Sequence, residues 1–285
     1  MSQFYNNVKT VLLLGMLTML ILWIGSFWGR QGIIIAFIFA AISNFVSYFF
    51  SDQIALAACR AQEVSSDHPL YKVVERLVGR AGLPMPRVYI SPAAAPNAFA
   101  TGRNPHHAAV CATQGLLDLV DENELSGVLG HELAHVKHRD ILIVSVAATI
   151  AGAISMLGTM FFWFGFGSQQ DESEGNAIAG IILLLLAPIA AALIQAAISR
   201  SREFNADSGG AEICGNPMYL ATALEKIEAQ AQRIPMNVNP SFNSMFIMEP
   251  RNVIGGVAAM FQTHPPLEAR LMNLIGRPST RANEQ

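Results

Sequence analysis

The chain has 285 residues, of which 52% are hydrophobic and 14% charged, against about 25% charged in an ordinary soluble domain. That composition excludes a typical soluble protein, and a formal net charge of −3 gives no surface built for nucleic acid. Much of the chain is expected to face lipid.

Four uncharged apolar runs, 11–28, 32–50, 141–166 and 177–198, are each long enough to cross a hydrocarbon core of about 30 Å. The first carries Trp23 and Trp28, is too long for a signal peptide and meets the second after only "GRQ", so it reads as a retained anchor. Residues 1–50 are thus expected to form two N-terminal transmembrane helices.

In the polar piece 51–140, "HPLYKVVERLVGRAG" has the helical spacing of Leu70, Val73, Val74, Leu77 and Val78 and a stop at Gly79 or Gly82. "RVYIS", "NAFATG" and "HAAVCATQ" read as short strands separated by "PAAAPN" and "RNPHH", which predicts a small sheet. "DENELSGVLGHELAHVKHRD" (121–140) reads as a helix with acidic residues in its first turn and basic ones in its last, and is expected to continue into the third apolar run. Cys59, Cys111 and Cys214 have no metal-like spacing and read as buried apolar residues of a reducing compartment.

The runs 141–166 and 177–198 flank a ten-residue acidic loop, "GSQQDESEGN", and are expected to make a transmembrane hairpin over 141–198. Of the 18 Lys and Arg, eight lie in 51–140 and eight in 199–285, which places both polar pieces in the cytoplasm. Each is small for a separate core, so 51–140 and 199–285 are expected to fold as one domain. In the second piece, "SRSREFNADSGGAEIC" continues the fourth span as helix, and "NPMYLATALEKIEAQAQRI" opens another with Asn216 as cap and Pro217 in the first turn. Residues 235–256 show no period; a mobile apolar flap and an irregular packed loop are both open readings.

His131 and His135 stand four apart around Glu132, so on a helix both can reach one zinc ion while Glu132 takes a proton from water. Two surface histidines beside a solvated glutamate would be the plain alternative. His138 lies about 10.5 Å along the axis from His131, too far to share the ion, so a third ligand must come from another segment. His135 precedes the third run by six residues and Glu203 follows the fourth by five, which sets both about 7–9 Å above the same membrane face. Asp207, one turn beyond Glu203, can then orient a ligand histidine. An exposed Glu–Arg helix face is the alternative for "SREFNAD".

"HELAH", two apolar runs and "REFNAD", with "NAFATG" before and "THPPLEAR" after, resemble the HtpX family of membrane-bound zinc endopeptidases, relatives of the CAAX prenyl protease. The resemblance covers nearly the whole chain. It implies a mainly α membrane protein, four transmembrane helices plus a cytoplasmic α+β, gluzincin-like zinc peptidase domain with a small β-sheet. It also implies one zinc ion per chain on His131, His135 and Glu203, and Glu132 as general base. The expected substrates are polypeptides, mainly damaged or misassembled membrane proteins, cut at the cytoplasmic face of the bacterial inner membrane in protein quality control and stress response.

His264, held by Pro265 and Pro266 before a final helix, is the candidate donor to the oxyanion, with a structural helix-start histidine as the alternative. Arg270 can pair with a carboxylate or reach substrate. Asn97, Ala98 and Phe99 would line the cleft if "NAFATG" takes an extended substrate as a neighbouring strand; an ordinary internal strand is the other reading. His106 and His107 read as loop residues. A zinc transporter would need ionisable residues inside the spans, which have none, and an intramembrane protease would not surround its motif with Glu122, Glu124, Lys137 and Arg139. A non-catalytic scaffold that keeps a metal site is the remaining rival.

Overall fold

The computed structural model describes residues 2–26, 29–151, 200–231, 234, 242, 245–248 and 264–276. Two helices, α1 (Ser2–Ser26) and α2 (Gly29–Phe49), pack against each other and are joined by a 2.8 Å hydrogen bond from Asn44 Nδ2 to Thr18 Oγ1. Among the described residues α2 is the one helix long and apolar enough to cross a membrane, and its outer face exposes Ile34, Ile35, Phe37, Phe39 and Phe45. Such an exposed apolar face suits contact with lipid. The fourth expected span and the acidic loop lie outside the described residues, as does the third span beyond Ala151.

Polar structure begins with α3 (Ser51–Ala58) and strand β1 (Gln62–Glu63). Helix α4 (Pro69–Ala81) buries the predicted stripe Leu70, Val73, Val74, Leu77 and Val78. His68 caps its start, its Nδ1 accepting from the Leu70 N–H, with Pro69 in the first turn, and Gly82 ends it in the left-handed conformation at φ 66°. The expected strands form at β2 (Arg87–Ser91), β3 (Ala98–Gly102) and β4 (Ala108–Thr113), and a short helix α5 (Gln114–Leu119) follows. The sheet is mixed, in the order β1-β2-β4-β3, with β2 and β4 parallel and the other pairs antiparallel. Strand β3 is therefore an edge. Part of that edge is taken by the chain itself, since Ile247 N–H donates to the Ala98 carbonyl at 3.0 Å and the Phe246 ring meets Phe99 edge-on.

The centre of the fold is α6 (Glu122–His138). Asp121 and Glu124 close a reciprocal capping box, at 2.9 Å from the Glu124 N–H to Asp121 Oδ1 and 3.0 Å from the Asp121 N–H to Glu124 Oε2. Lys226 also reaches Glu124, at 2.7 Å. Helices α4, α8 (Arg200–Cys214) and α9 (Pro217–Ala231), together with β3, surround α6, so the two polar pieces pack as neighbours. As expected, Asn216 accepts from Met218 N–H at the start of α9. The last described helix, α10 (Leu267–Ile275), packs on α8 and α9.

One expectation is overturned. Helix α6 does not run on into the third apolar run; it stops at Arg139, which adopts the left-handed conformation at φ 59°, ψ 37°. A separate helix, α7 (Ile141–Ala151), follows and buries Leu142, Ile143, Val146 and Ile150 in a cluster that Leu14, Leu17 and Tyr48 complete.

The crossing of α6 and α8 depends on glycine. A Cβ at Gly130 would lie 2.7 Å from the Gly210 carbonyl oxygen, and one at Gly210 would lie 2.6 Å from the His131 amide nitrogen. Backbone touches backbone there, so neither position has room for a methyl group. Gly210→Ala is expected to destabilise the protein by about 1–3 kcal/mol through overpacking, despite a helix-propensity gain of about 1 kcal/mol. Gly79→Ala in α4, where a Cβ meets nothing within 4 Å, should show the propensity gain alone. Thermal unfolding of the two variants decides the matter; equal stability would mean that the close approach carries no packing constraint.

Candidate metal centre

Helix α6 presents His131, Glu132 and His135 to one cleft, and α8 crosses it with Glu203 and Asp207. The Nε2 atoms of the two histidines are 3.2 Å apart. Glu203 completes the group, with Oε2 3.8 Å from His131 Nε2 and Oε1 3.6 Å from His135 Nε2. One atom from each of these three residues lies within 4.8 Å of the others, a spacing that one metal ion can bridge with three bonds. Two imidazoles and a carboxylate are a donor set suited to zinc. His138 is outside the group, beside Gly209 of α8, and His106 and His107 are exposed in a short 3-10 turn (Pro105–His107).

Each histidine turns its other nitrogen to a carboxylate. His131 Nδ1 is 2.9 Å from Asp207 Oδ1, and His135 Nδ1 is 3.4 Å from Asp140 Oδ2. Asp207 is itself gripped from behind by Arg270 of α10, through Nη2 to Oδ1 at 2.5 Å and Nε to Oδ2 at 3.0 Å. Both partners of that pair are fully buried, and Arg270 Nη1 also donates to the Ile247 carbonyl at 2.8 Å. His264 Nδ1 lies 2.8 Å from Glu203 Oε2, so the final segment meets the cluster at two points. The cleft is lined by Ala100, Ile141, Val144, Phe246 and Ile247 besides the polar group.

Burial sets the proton affinities of the metal-free centre. It pushes Glu132 up to about 7, a rise that the positive histidines and a backbone hydrogen bond from Ala100 restrain. Burial also pulls His131 down to about 4, Asp207 notwithstanding. On His135 burial acts in the same sense, but Glu203 and then Asp140 outweigh it and lift the group to about 9. Glu203 is held well below the usual carboxylate range: His264 and His135 overcome its burial.

The predicted residues are not all in one place. His131, Glu132, His135, Glu203 and His264 share the cleft, with Asp207 behind His131. The side chains of Asn97, Ala98 and Phe99 are buried: Asn97 Nδ2 donates to the Met248 carbonyl at 2.7 Å, Ala98 pairs with Ile247, and Phe99 packs on Phe246. Ala100, one residue further along β3, is the part of that strand that lines the cleft. Sequence reasoning assigns no site role to Asp140 and leaves 235–256, which contains 245–248, open between a flap and a packed loop. Neither carries a motif; Asp140 is hidden by the helical continuation that its neighbourhood suggests, and 245–248 by the lack of any period.

The Arg270–Asp207 pair yields a direct expectation. Arg270→Met would leave a buried carboxylate without its cation and should cost about 3–5 kcal/mol, part of it regained on adding Asp207→Asn. Denaturant unfolding measures both; an Arg270→Met protein as stable as wild type would contradict the pairing.

A mostly helical protein with an apolar N-terminal hairpin, and a buried H-E-x-x-H helix crossed by a second helix that brings a carboxylate, is a membrane-associated metalloprotease in architecture. The chain belongs to peptidase family M48, whose model matches residues 65–277. It is 52% identical over 274 residues to a protein described as "Protease HtpX homolog" from Syntrophotalea carbinolica, covering 94% of this chain and 98% of that one. A protein of the same description from Ralstonia pickettii is 50% identical over 282 residues, covering 97% and 98%. Among solved structures, Ste24p of S. mikatae shares the fold at a TM-score of 0.51 and 18% identity, covering 96% of this chain and 66% of that one.

Proposed function

We propose that the protein is a zinc endopeptidase that cuts polypeptides, chiefly damaged or misassembled membrane proteins, at the cytoplasmic face of a bacterial inner membrane. One observation carries the reading: Glu132 stands in the same cleft as three convergent ligand atoms of His131, His135 and Glu203. Zinc held by those residues supplies a Lewis acid that polarises a peptide carbonyl and acidifies a water molecule.

The chain's own groups do the rest. Glu132 accepts the proton of the attacking water and passes it to the leaving amine. Asp207 accepts from His131 Nδ1–H and so keeps Nε2 free as a ligand atom. His264, whose Nδ1 contacts Glu203, has a second ring nitrogen to donate to the oxyanion. An extended substrate lies along the edge of β3 beside Ala100, held through backbone and not through the buried side chains of Asn97 and Phe99. Runs 11–28, 32–50, 141–166 and 177–198 anchor the enzyme as four spans, with 51–140 and 199–285 as the peptidase domain.

A peptidase assay on the detergent-solubilised full chain tests this reading. Cleavage is expected to stop with a zinc chelator and return when zinc is restored. A zinc-loaded protein without turnover would instead support a scaffold that keeps a metal site.

A further inference from the structure

The stop between α6 and α7 is costly, and its product is the position of one side chain. Arg139 is one of two non-glycine residues with positive φ among the described residues, a conformation that disfavours any side chain with a Cβ. The turn is closed by backbone bonds from Arg139 N–H to the Val136 carbonyl at 3.1 Å and from Asp140 N–H to the His135 carbonyl at 3.0 Å. Had α6 continued, Asp140 would stand five residues after His135 and about 140° around the axis, facing away from its ring. With the turn in place, Asp140 is buried, 2% exposed, with Oδ2 3.4 Å from His135 Nδ1.

We propose that Asp140 is a positioning residue for His135, accepting from its Nδ1–H so that Nε2 faces the metal, and that the left-handed turn at Arg139 serves to deliver it. The arrangement repeats what Asp207 does for His131, from the other side of the cluster. Both imidazoles are then fixed in tautomer and rotation before any ion arrives, and both gain basicity from a carboxylate. The inference rests on the zinc reading above.

Asp140 also precedes α7, where a side-chain oxygen can cap a helix, so the test must separate capping from positioning. Asn and Ser cap about as well as Asp but carry no carboxylate. Zinc affinity of the detergent-solubilised full chain, measured by competition with a chromogenic chelator, is expected to fall about 10- to 100-fold in Asp140→Asn and Asp140→Ser. The thermal midpoint of the zinc-free variants should stay at the wild-type value. Wild-type zinc affinity in both variants would overturn the proposal, as would a weaker affinity matched by a lower midpoint of the zinc-free protein. Failure of the zinc reading itself would look different: Glu203→Ala would bind zinc as tightly as wild type.

Discussion

Glu132→Gln is expected to keep its zinc and to lose about 10²- to 10⁴-fold in peptidase turnover. The substitution keeps the shape of the side chain and removes no ligand, because Glu132 is not among the three residues whose atoms converge. What disappears is a carboxylate that stands in the cleft beside the three converging residues and can take a proton from water. An amide cannot accept that proton. Burial is the largest cause of the raised proton affinity of Glu132, so the neutral glutamine suits the site and the fold should not suffer. Metal analysis and turnover on the same preparation give the result, and a zinc-loaded variant with near-normal turnover would rule out Glu132 as the base.

Where residues carry a local period or a fixed spacing, the architecture was legible in advance. The stripe on α4, the strand β2 as "RVYIS", the Asn216 cap and the one-turn spacing of His131 and His135 each follow from geometry within a single element. Glu203 was reachable from further away because two apolar runs separate it from the histidine motif and set both ends at one height. The remainder depends on contacts between distant segments. The order β1-β2-β4-β3 makes β3 an edge, yet Ile247, from a stretch with no period, occupies part of that edge. Arg270 carries no mark of its partner, and Asp207 and Arg270 are 63 residues apart in the chain. The turn at Arg139 was the hardest to foresee, since a left-handed residue is signalled by glycine or asparagine and here it is arginine.

The glycine crossing also changes what holds Glu203, the proposed third ligand. From the sequence, the third and fourth apolar runs look like a frame that sets Glu203 at the height of the histidines. In the structure, α8 is pinned to α6 at Gly210 and Gly130, two turns beyond Glu203 and inside the peptidase domain. Glu203 is thus placed from its C-terminal side. An alanine inserted between Asn205 and Ala206 should turn Glu203 by about 100° and shift it about 1.5 Å relative to the pinned part of α8. Its carboxylate would leave the cluster, and zinc binding and activity should be lost together. An alanine inserted immediately ahead of Arg200 leaves the stretch from Glu203 to Gly210 in register and should be tolerated, as should one after Glu172 in the acidic loop, where closure entropy depends weakly on length. Zinc content and peptidase activity of the three insertions, compared in one detergent after confirming that each is folded, separate the two accounts. If the insertion ahead of Arg200 abolishes zinc binding as completely as the one after Asn205, the membrane spans and not the glycine crossing set the ligand.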